Sequence, residues 1–399
     1  MGNSNQTTVA YIYKRKYTNN RVEELALRDH PSWYSIRKRG GFTGTDDTVP
    51  AQISYPQGIA GTLAAAQAAV ESSKGVQFRY FRRKKYAVIR LDGEAMEACE
   101  NDGAFVSLVT RETDWKLKEM GAAQAFDLFG SGNGKRARRS AAAGNIVTVD
   151  NTYDIANIKV GMTIMASPNA DGSAPRVGTA KVVATDPDNS QFTVDAIGGI
   201  AAFANNDYIF RSGDPGTCME GMGVCTPIVA PVYLADNFRG IDRGQAVREL
   251  AGTRQVSTGI LEDDLGLGAT KVSTLYRKLT HAAAHPIHFW KVVKRGDAKV
   301  QYDTAGGKLQ IGFEYIMLQT PAGNIKLYSE PDIPYTESRA WDEKAHYIHH
   351  LNETTHIIRT NGQPHMQMAA EDTIEIRGRS MLNYVQTDTA SHLVVSGLV

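Results

Sequence analysis

The residues closest to metal-ligand spacing are histidines. His281, His285 and His288 would put the first two on one helical face, but Pro286 ends that turn and no carboxylate completes the set. His346, His349, His350 and His356 fall on strand-like runs, where His346 and His350 share one face and His349 takes the other. Surface or structural histidines are the expectation in both groups. "GSGNGK" (Gly130–Lys135) invites a phosphate-loop reading and fails it. Phe129 stands where the first glycine of that template belongs, Arg136 follows the lysine, and the segment comes after a helix. Glycines and cations there suit a helix C-terminus. Asp263 and Asp264 sit at a helix start, where acids complement the dipole. Nothing resembles a nucleophile elbow. Cys218 and Cys225 could pair or share a metal, but no second ligand pair stands nearby, so two unpaired thiols are expected. No catalytic, cofactor-binding or metal residue is assigned, and the chain does not read as an enzyme.

A different chemistry is offered by "FRYFRRKKYAVIRLDGEAM" (Phe78–Met96), where two β-like runs flank Arg82, Arg83, Lys84 and Lys85. Read as a hairpin over 76–93, this segment has apolar rows on both limbs and a cationic tip. A lone hairpin is marginal in water. If it projects, a second surface must cover those rows, and a basic tip suits an acidic patch that sets register. Residues 1–55 share the problem. Gly40, Gly41 and Pro50 break them up, and their aromatics (Tyr11, Tyr13, Tyr17, Trp33, Tyr34, Phe42) have little of their own to pack on. They read as an extended arm whose Lys14, Arg15, Lys16, Trp33 and Tyr34 reach a neighbour.

The elements that must carry these segments form an α+β body. The chain has 399 residues, enough for two or three domains, and 44 Lys+Arg against 43 Asp+Glu, a formal charge of +1. That balance argues against a dedicated nucleic-acid binder, though local basic patches can still exist. Three cysteines are too few for a disulfide framework. No apolar run suits a signal peptide or a membrane span. An Ala-rich helix lies within 56–75 (Gly58–Ser72), with Ile59, Leu63 and Val70 on one face. After Asp92–Gly93, Asp102 can cap a long helix running to about Phe129, on which Phe105, Leu108, Val109, Trp115, Met120, Ala123 and Phe126 recur near helical spacing. From Asn145 to Phe210, short β runs alternate with turn formers, as in a small barrel. Beyond Arg211, Glu262–His285 reads as mostly helical and "FWKVVKRG" as a short helix. "FEYIMLQT", "NIKLYSE", "AHYIHHL", "THIIRT" and "DTIEIRGRSMLNYVQTD" read as strands.

The order of arm, Ala-rich helix, hairpin, long helix and mixed body resembles the major capsid protein of tailed bacteriophages, the Hong Kong 97-type fold shared with encapsulin shells and herpesvirus capsid floors. "KKYAVIRLDGEAMEA" followed by "GAFVSLVTRETD" looks like the hairpin-to-spine passage of one phage family, and "FDLFGSGNGKR" like its helix end. "GNIVTVDNTYDIANIKVGMTIMAS" is similar to a β insertion carried by some members. "YIFRSGDPGTCMEGM" and "FRGIDRGQAVRELAGTR" resemble the return to the shell body. "FWKVVKRGDAKVQYD" and "IGFEYIMLQTPAGNIKLYSEPDIP" match the apical pattern. The likeness runs from about Tyr55 to Asp388.

The resemblance implies an N-terminal arm (1–55), a short helix (56–75), an extended-loop hairpin (76–93) and a spine helix of the peripheral domain (94–140). A β-rich insertion (141–211), an apical domain (212–340) and returning strands (341–399) follow. It implies hexamers and pentamers of this chain closing an icosahedral shell around double-stranded DNA, with the hairpin lying over an adjacent subunit and Arg82–Lys85 as a clasp. Expected partners are the chain itself, a portal, separate scaffolding and decoration proteins, and DNA held non-specifically. No membrane partner is expected. The place is the virion, after assembly in the host cytoplasm. With the arm starting near Met1, scaffolding is expected from a separate protein or none. Lys84 and Lys85 lie in the general region of the isopeptide lysine of some relatives, but no partner asparagine or glutamate is identifiable, and no crosslink is expected. An encapsulin-like compartment or gene-transfer particle is the alternative, and an enzyme a distant one.

Overall fold

A computed structural model describes residues 30–92, 104–196, 199–200, 203–295, 300–301, 315–359, 365–367 and 373–399. Lys14, Arg15, Lys16 and Asp102 lie outside them, as do the side chains of Phe105, Leu108 and Val109. The chain enters through a short helix, α1 (Pro31–Ser35), with proline in its first turn, where no amide hydrogen is needed. Strand β1 (Arg37–Arg39) follows, and then β2 (Asp46–Ser54), helix α2 (Leu63–Ala68), β3 (Lys74–Phe81) and β4 (Arg83–Asp92). The long helix α3 (Ala104–Phe129) has 26 residues. Its apolar side, Leu117, Met120, Ala123, Leu128 and Phe129, is buried, whereas Trp115 is 53% exposed and leaves the apolar stripe expected for it.

The next segment closes on itself. Strands β5 (Lys135–Ala143), β6 (Ile146–Val149), β7 (Thr163–Ser167), β8 (Ala180–Asp186), β9 (Gln191–Val194) and β10 (Tyr208–Arg211) form a closed barrel in the order β10-β5-β6-β9-β8-β7. Closure removes the open edges that six short strands would otherwise expose. Val147, Ile164, Val182, Phe192 and Ile209 fill its interior. The barrel expectation holds, with its first strand starting at Lys135.

The rest of the chain builds two sheets. Helix α4 (Met222–Cys225), helix α5 (Val247–Ala251), strand β11 (Thr253–Val256), helix α6 (Leu261–Ser273), strand β12 (His281–Ala284) and helix α7 (Pro286–Arg295) come first. Strands β13 (Val300–Gln301), β14 (Tyr315–Thr320), β15 (Gly323–Ser329), β16 (Glu337–Trp341), β17 (His346–His350), β18 (His356–Ile357), β19 (His365–Gln367), β20 (Thr373–Gln386) and β21 (His392–Ser396) follow. One sheet has seven strands in the order β11-β21-β16-β12-β15-β14-β13. It carries α6 and α7 over a core of Leu265, Val272, Phe289, Ile316 and Leu327. The other is organised on β20, which pairs with β17, β18, β19 and β4, while β1 adds in parallel to β17.

Two expectations change. "HAAAH" is not helical. His281–Ala284 is a fully buried strand hydrogen-bonded on both sides, to β15 and β16, and ladder pairing overrides the helix propensity of three alanines. Residues 76–93 are not a hairpin either. β3 pairs with β2 and β4 pairs with β20, and only Arg82 stands between them. A hairpin reversal commonly takes two residues or more, so the chain crosses from one sheet to the other. The antiparallel pair that does exist joins Asp46–Ser54 to Lys74–Phe81, and its first limb lies in what reads from sequence as the arm.

Candidate assembly surfaces

The β2–β3 finger has a rooted base and an unsupported end. Val49, Phe78 and Tyr80 at the base are buried in the body core beside Trp341, Ile348 and Tyr384. The Tyr80 hydroxyl donates to Gln386 O at 3.2 Å. From Pro50 to Gln77 no residue is buried. The end contains α2, capped by Thr62, whose hydroxyl accepts from Ala65 N at 3.4 Å. A six-residue helix is far too short to be stable alone. Its neighbourhood is apolar and open: Tyr55 is 69% exposed, Ile59 96%, Leu63 75% and Val70 72%. Exposed apolar groups gathered on one small element mark a contact surface.

The cationic run is placed differently. It lies where the chain crosses into the body, not at a tip. Arg82 donates to Phe42 O at 2.9 Å. Arg83 reaches Glu220 at 2.7 Å and Gly216 O at 2.9 Å. Glu220 also pairs with Arg239 and accepts from the Asn383 amide at 3.3 Å. Burial works against the Glu220 charge, but Arg239 and Arg83 outweigh it and hold the carboxyl below its ordinary range. Lys85 pairs with Asp127 on α3, whose side chain is 2% exposed. Burial again opposes the charge, and Asp127 raises the ammonium above the usual lysine value. Only Lys84 is exposed and has no hydrogen bond or ion pair to a described residue through its ammonium. The four residues line an open cleft of about 600 Å³ with Lys116, Glu119 and Arg211. Arg82, Arg83 and Lys85 therefore fasten β4 to its own chain, which corrects the picture of a bare basic tip.

The start of the described chain is fastened as well. Trp33 is fully buried in the chain's own core and drops out as a contact for a neighbour. Tyr34 is 45% exposed, with the Lys38 ammonium 5.2 Å from its ring centre. β1 continues onto the sheet, Arg37 opposite Tyr347 and Arg39 opposite His349.

Behind the junction, the return from the barrel passes over the end of α3. Gly223 N donates to Gly130 O at 3.1 Å, and a Cβ on Gly221 would stand 2.2 Å from Leu128 O, so only glycine fits there. Cys218 and Cys225 are free and buried, and burial pushes the Cys225 thiol up to about 11.

The histidines divide by environment. His281 stacks on Tyr328 with ring centres 5.7 Å apart, and His288 Nε2 lies 2.8 Å from Tyr335 O. His346 and His349 take opposite faces of β17, as alternation requires. His349 meets Asp47 at 2.8 Å and stacks on Phe42, while His346 Nδ1 lies 3.2 Å from His392 Nε2 in the core. Burial drives His392 down to about 4 and His346 well below its ordinary value. His30 stands in no motif of the sequence. It sits beside Glu330 and Asp332, 300 residues away, with Nδ1 2.6 Å from Asp332 Oδ2 and 3.6 Å from Glu330 Oε1. Burial disfavours its charge, but the two carboxylates overcome this and raise it to about 9. No sequence signal joins residues so far apart.

No protein-family model and no curated protein matches this sequence. Solved structures do. The capsid asymmetric unit of cyanophage A-1(L) aligns over 96% of this chain and 93% of its own, with a TM-score of 0.52 at 10% identity. The chain has the tailed-phage capsid fold. The capsid of the native GTA particle is similar over 94% of this chain and 90% of its own (TM-score 0.46, 10% identity). So is the holo-SrpI encapsulin complex of Synechococcus elongatus PCC 7942, over 93% and 89% (TM-score 0.45, 8% identity). In this capsid-fold chain the long helix is α3, the two-stranded finger is β2–β3, and the barrel lies between α3 and α4. Among the described residues no helix is long and apolar enough to cross a membrane.

Proposed function

We propose that this chain is a major capsid protein. Copies arranged as hexamers and pentamers form an icosahedral virion shell around double-stranded DNA, assembled in the host cytoplasm. The observation that carries the reading is the finger. On a capsid fold, a two-stranded projection whose outer part buries nothing of its own, yet presents Tyr55, Ile59, Leu63 and Val70, gains its stability by lying on a neighbouring copy. A modest energy per contact, repeated over every subunit, then holds a closed lattice. The extended loop of this chain is accordingly residues 46–81, with its contact surface at 55–75. Of the basic run, Lys84 is the residue left to meet a neighbour, and Tyr34 is the corresponding residue near the arm. The near-neutral charge of the chain suits a wall that must not bind its packed genome tightly. A portal, with or without scaffolding and decoration proteins, completes the expected set of partners.

Negative-stain microscopy of the expressed full chain, alone and with its neighbouring genes, tests the reading. Round shells of uniform size are expected. A monodisperse monomer under every condition, including co-expression, would contradict it.

A further inference from the structure

His30, Glu330 and Asp332 bring one imidazole nitrogen and two carboxylates together, with their ligand atoms all within 4.8 Å of one another. The trio joins two parts of the chain, since His30 precedes α1 and the two acids follow β15. Its members are held from outside. Ser32 N donates to Glu330 Oε2 at 3.1 Å, and Glu330 N donates to Ala284 O at 2.9 Å. The other carboxylate oxygen, Glu330 Oε1, accepts no hydrogen bond, although the side chain is only 1% exposed and the atom faces His30. Asp332 Oδ2 is equally buried, and its partner is the same imidazole nitrogen, His30 Nδ1, at 2.6 Å. One imidazole N–H cannot serve both oxygens, so a buried acceptor is left over at a cost that a cation between the carboxylates would recover.

We propose that His30 Nδ1, Glu330 Oε1 and Asp332 Oδ2 bind a divalent transition ion of the zinc class, clipping the root of the N-terminal segment to the seven-stranded sheet. Metal–nitrogen and metal–oxygen bonds of about 2.0–2.2 Å put tetrahedral ligands roughly 3.3 Å apart. The distances of 3.6 Å and 2.6 Å from His30 Nδ1 bracket that value, so small side-chain rotations suffice. A nitrogen with two carboxylates suits zinc, cobalt or manganese better than the all-oxygen shells of calcium and magnesium. An incoming dication displaces the His30 proton, and the two carboxylates with the resulting neutral imidazole sum to −2, which the ion balances. The backbone donor on Glu330 Oε2 fixes the orientation of that ligand. His30 also borders an open cleft of about 860 Å³, which supplies an entry path. The inference is independent of shell formation, because all three ligands belong to one chain.

The test is titration of the purified, EDTA-dialysed full chain with Co2+, read by its visible ligand-field bands, followed by displacement with Zn2+. One Co2+ per chain is expected, lost on adding Zn2+. Affinity should fall by at least ~10-fold in both Asp332→Asn and His30→Gln, with circular dichroism unchanged. Asp332 keeps 13% of its side chain exposed, so its substitution is tolerated even if Glu330→Gln fails to fold. If the wild-type chain takes up no more Co2+ than His30→Gln, the trio is an ion pair only and the site is overturned.

Discussion

Residues 55–75 and residues 82–85 lie at the two ends of β3 and have opposite surroundings. The first segment is mostly neutral and has no buried residue; its ion pair, Lys74–Glu71 at 2.6 Å, is solvent-exposed. The second carries four cations in a row and is held by carboxylates of the body, Glu220 and Asp127, that are 15% and 2% exposed. Charge density is therefore a poor guide to which segment projects. What distinguishes the two is whether partners within the chain satisfy the side chains. The cationic segment is finished by its own fold, and the apolar one is not.

The largest expected effect comes from replacing residues 55–73 with a short Gly-Ser turn. Shell formation should be abolished in microscopy and size-exclusion profiles while the subunit melts within about 2 °C of wild type. A large drop in Tm would mean that the finger supports its own body and would erase the contrast. Next comes Asp127→Ala, which leaves the Lys85 ammonium poorly compensated and should cost about 3 kcal/mol in urea unfolding. The paired control, Lys74→Ala at the exposed finger end, should cause no measurable loss. Glu220→Ala uncouples Arg83 and Arg239 together and should cost about 2 kcal/mol, read in the same way.

The smallest effect concerns pH and belongs to the body alone, since residues 46–81 contain no histidine. His392 and His346 have folded values below the ordinary histidine value, His392 at about 4. Their neutral forms stabilise the fold fully above about pH 6.5. Below that the unfolded chain takes up protons that the folded one refuses, and the stability drains away as pH falls toward 4. About 1 kcal/mol per histidine should be lost by pH 5.5, visible as a falling Tm, and His392→Gln should flatten the slope.

Much of the architecture was legible in the residues. The end of α3 at Phe129, the barrel strands from β6 to β10 and the long strand at 373–386 follow from local periodicity and turn chemistry, which act over a few residues, whereas β5 reads as a basic turn. Long-range pairing was not legible in the same way. Phe78–Phe81 and Arg83–Leu91 read as partners because they are adjacent, yet their true partners lie at 46–54 and 373–386. Likewise, a run of Arg and Lys looks like solvated surface until Asp127 and Glu220, 42 and 137 residues away, arrive beside it. Trp33 reads as a contact for a neighbour for the same reason, since the core that buries it is built by residues 117–385 as well as by its own segment. Ile59, Leu63 and Val70 read as one face of a helix over Gly58–Ser72, yet the helix spans only Leu63–Ala68, and Ile59 and Val70 are exposed on either side of it.

Hydrogen–deuterium exchange on the isolated subunit and on assembled shells tests the central claim most directly. Amides of residues 55–75 should exchange fast in the subunit and become strongly protected in the shell, while those of residues 83–92 should exchange slowly in both. Protection gained at 83–92 on assembly, with 55–75 unchanged, would contradict that claim.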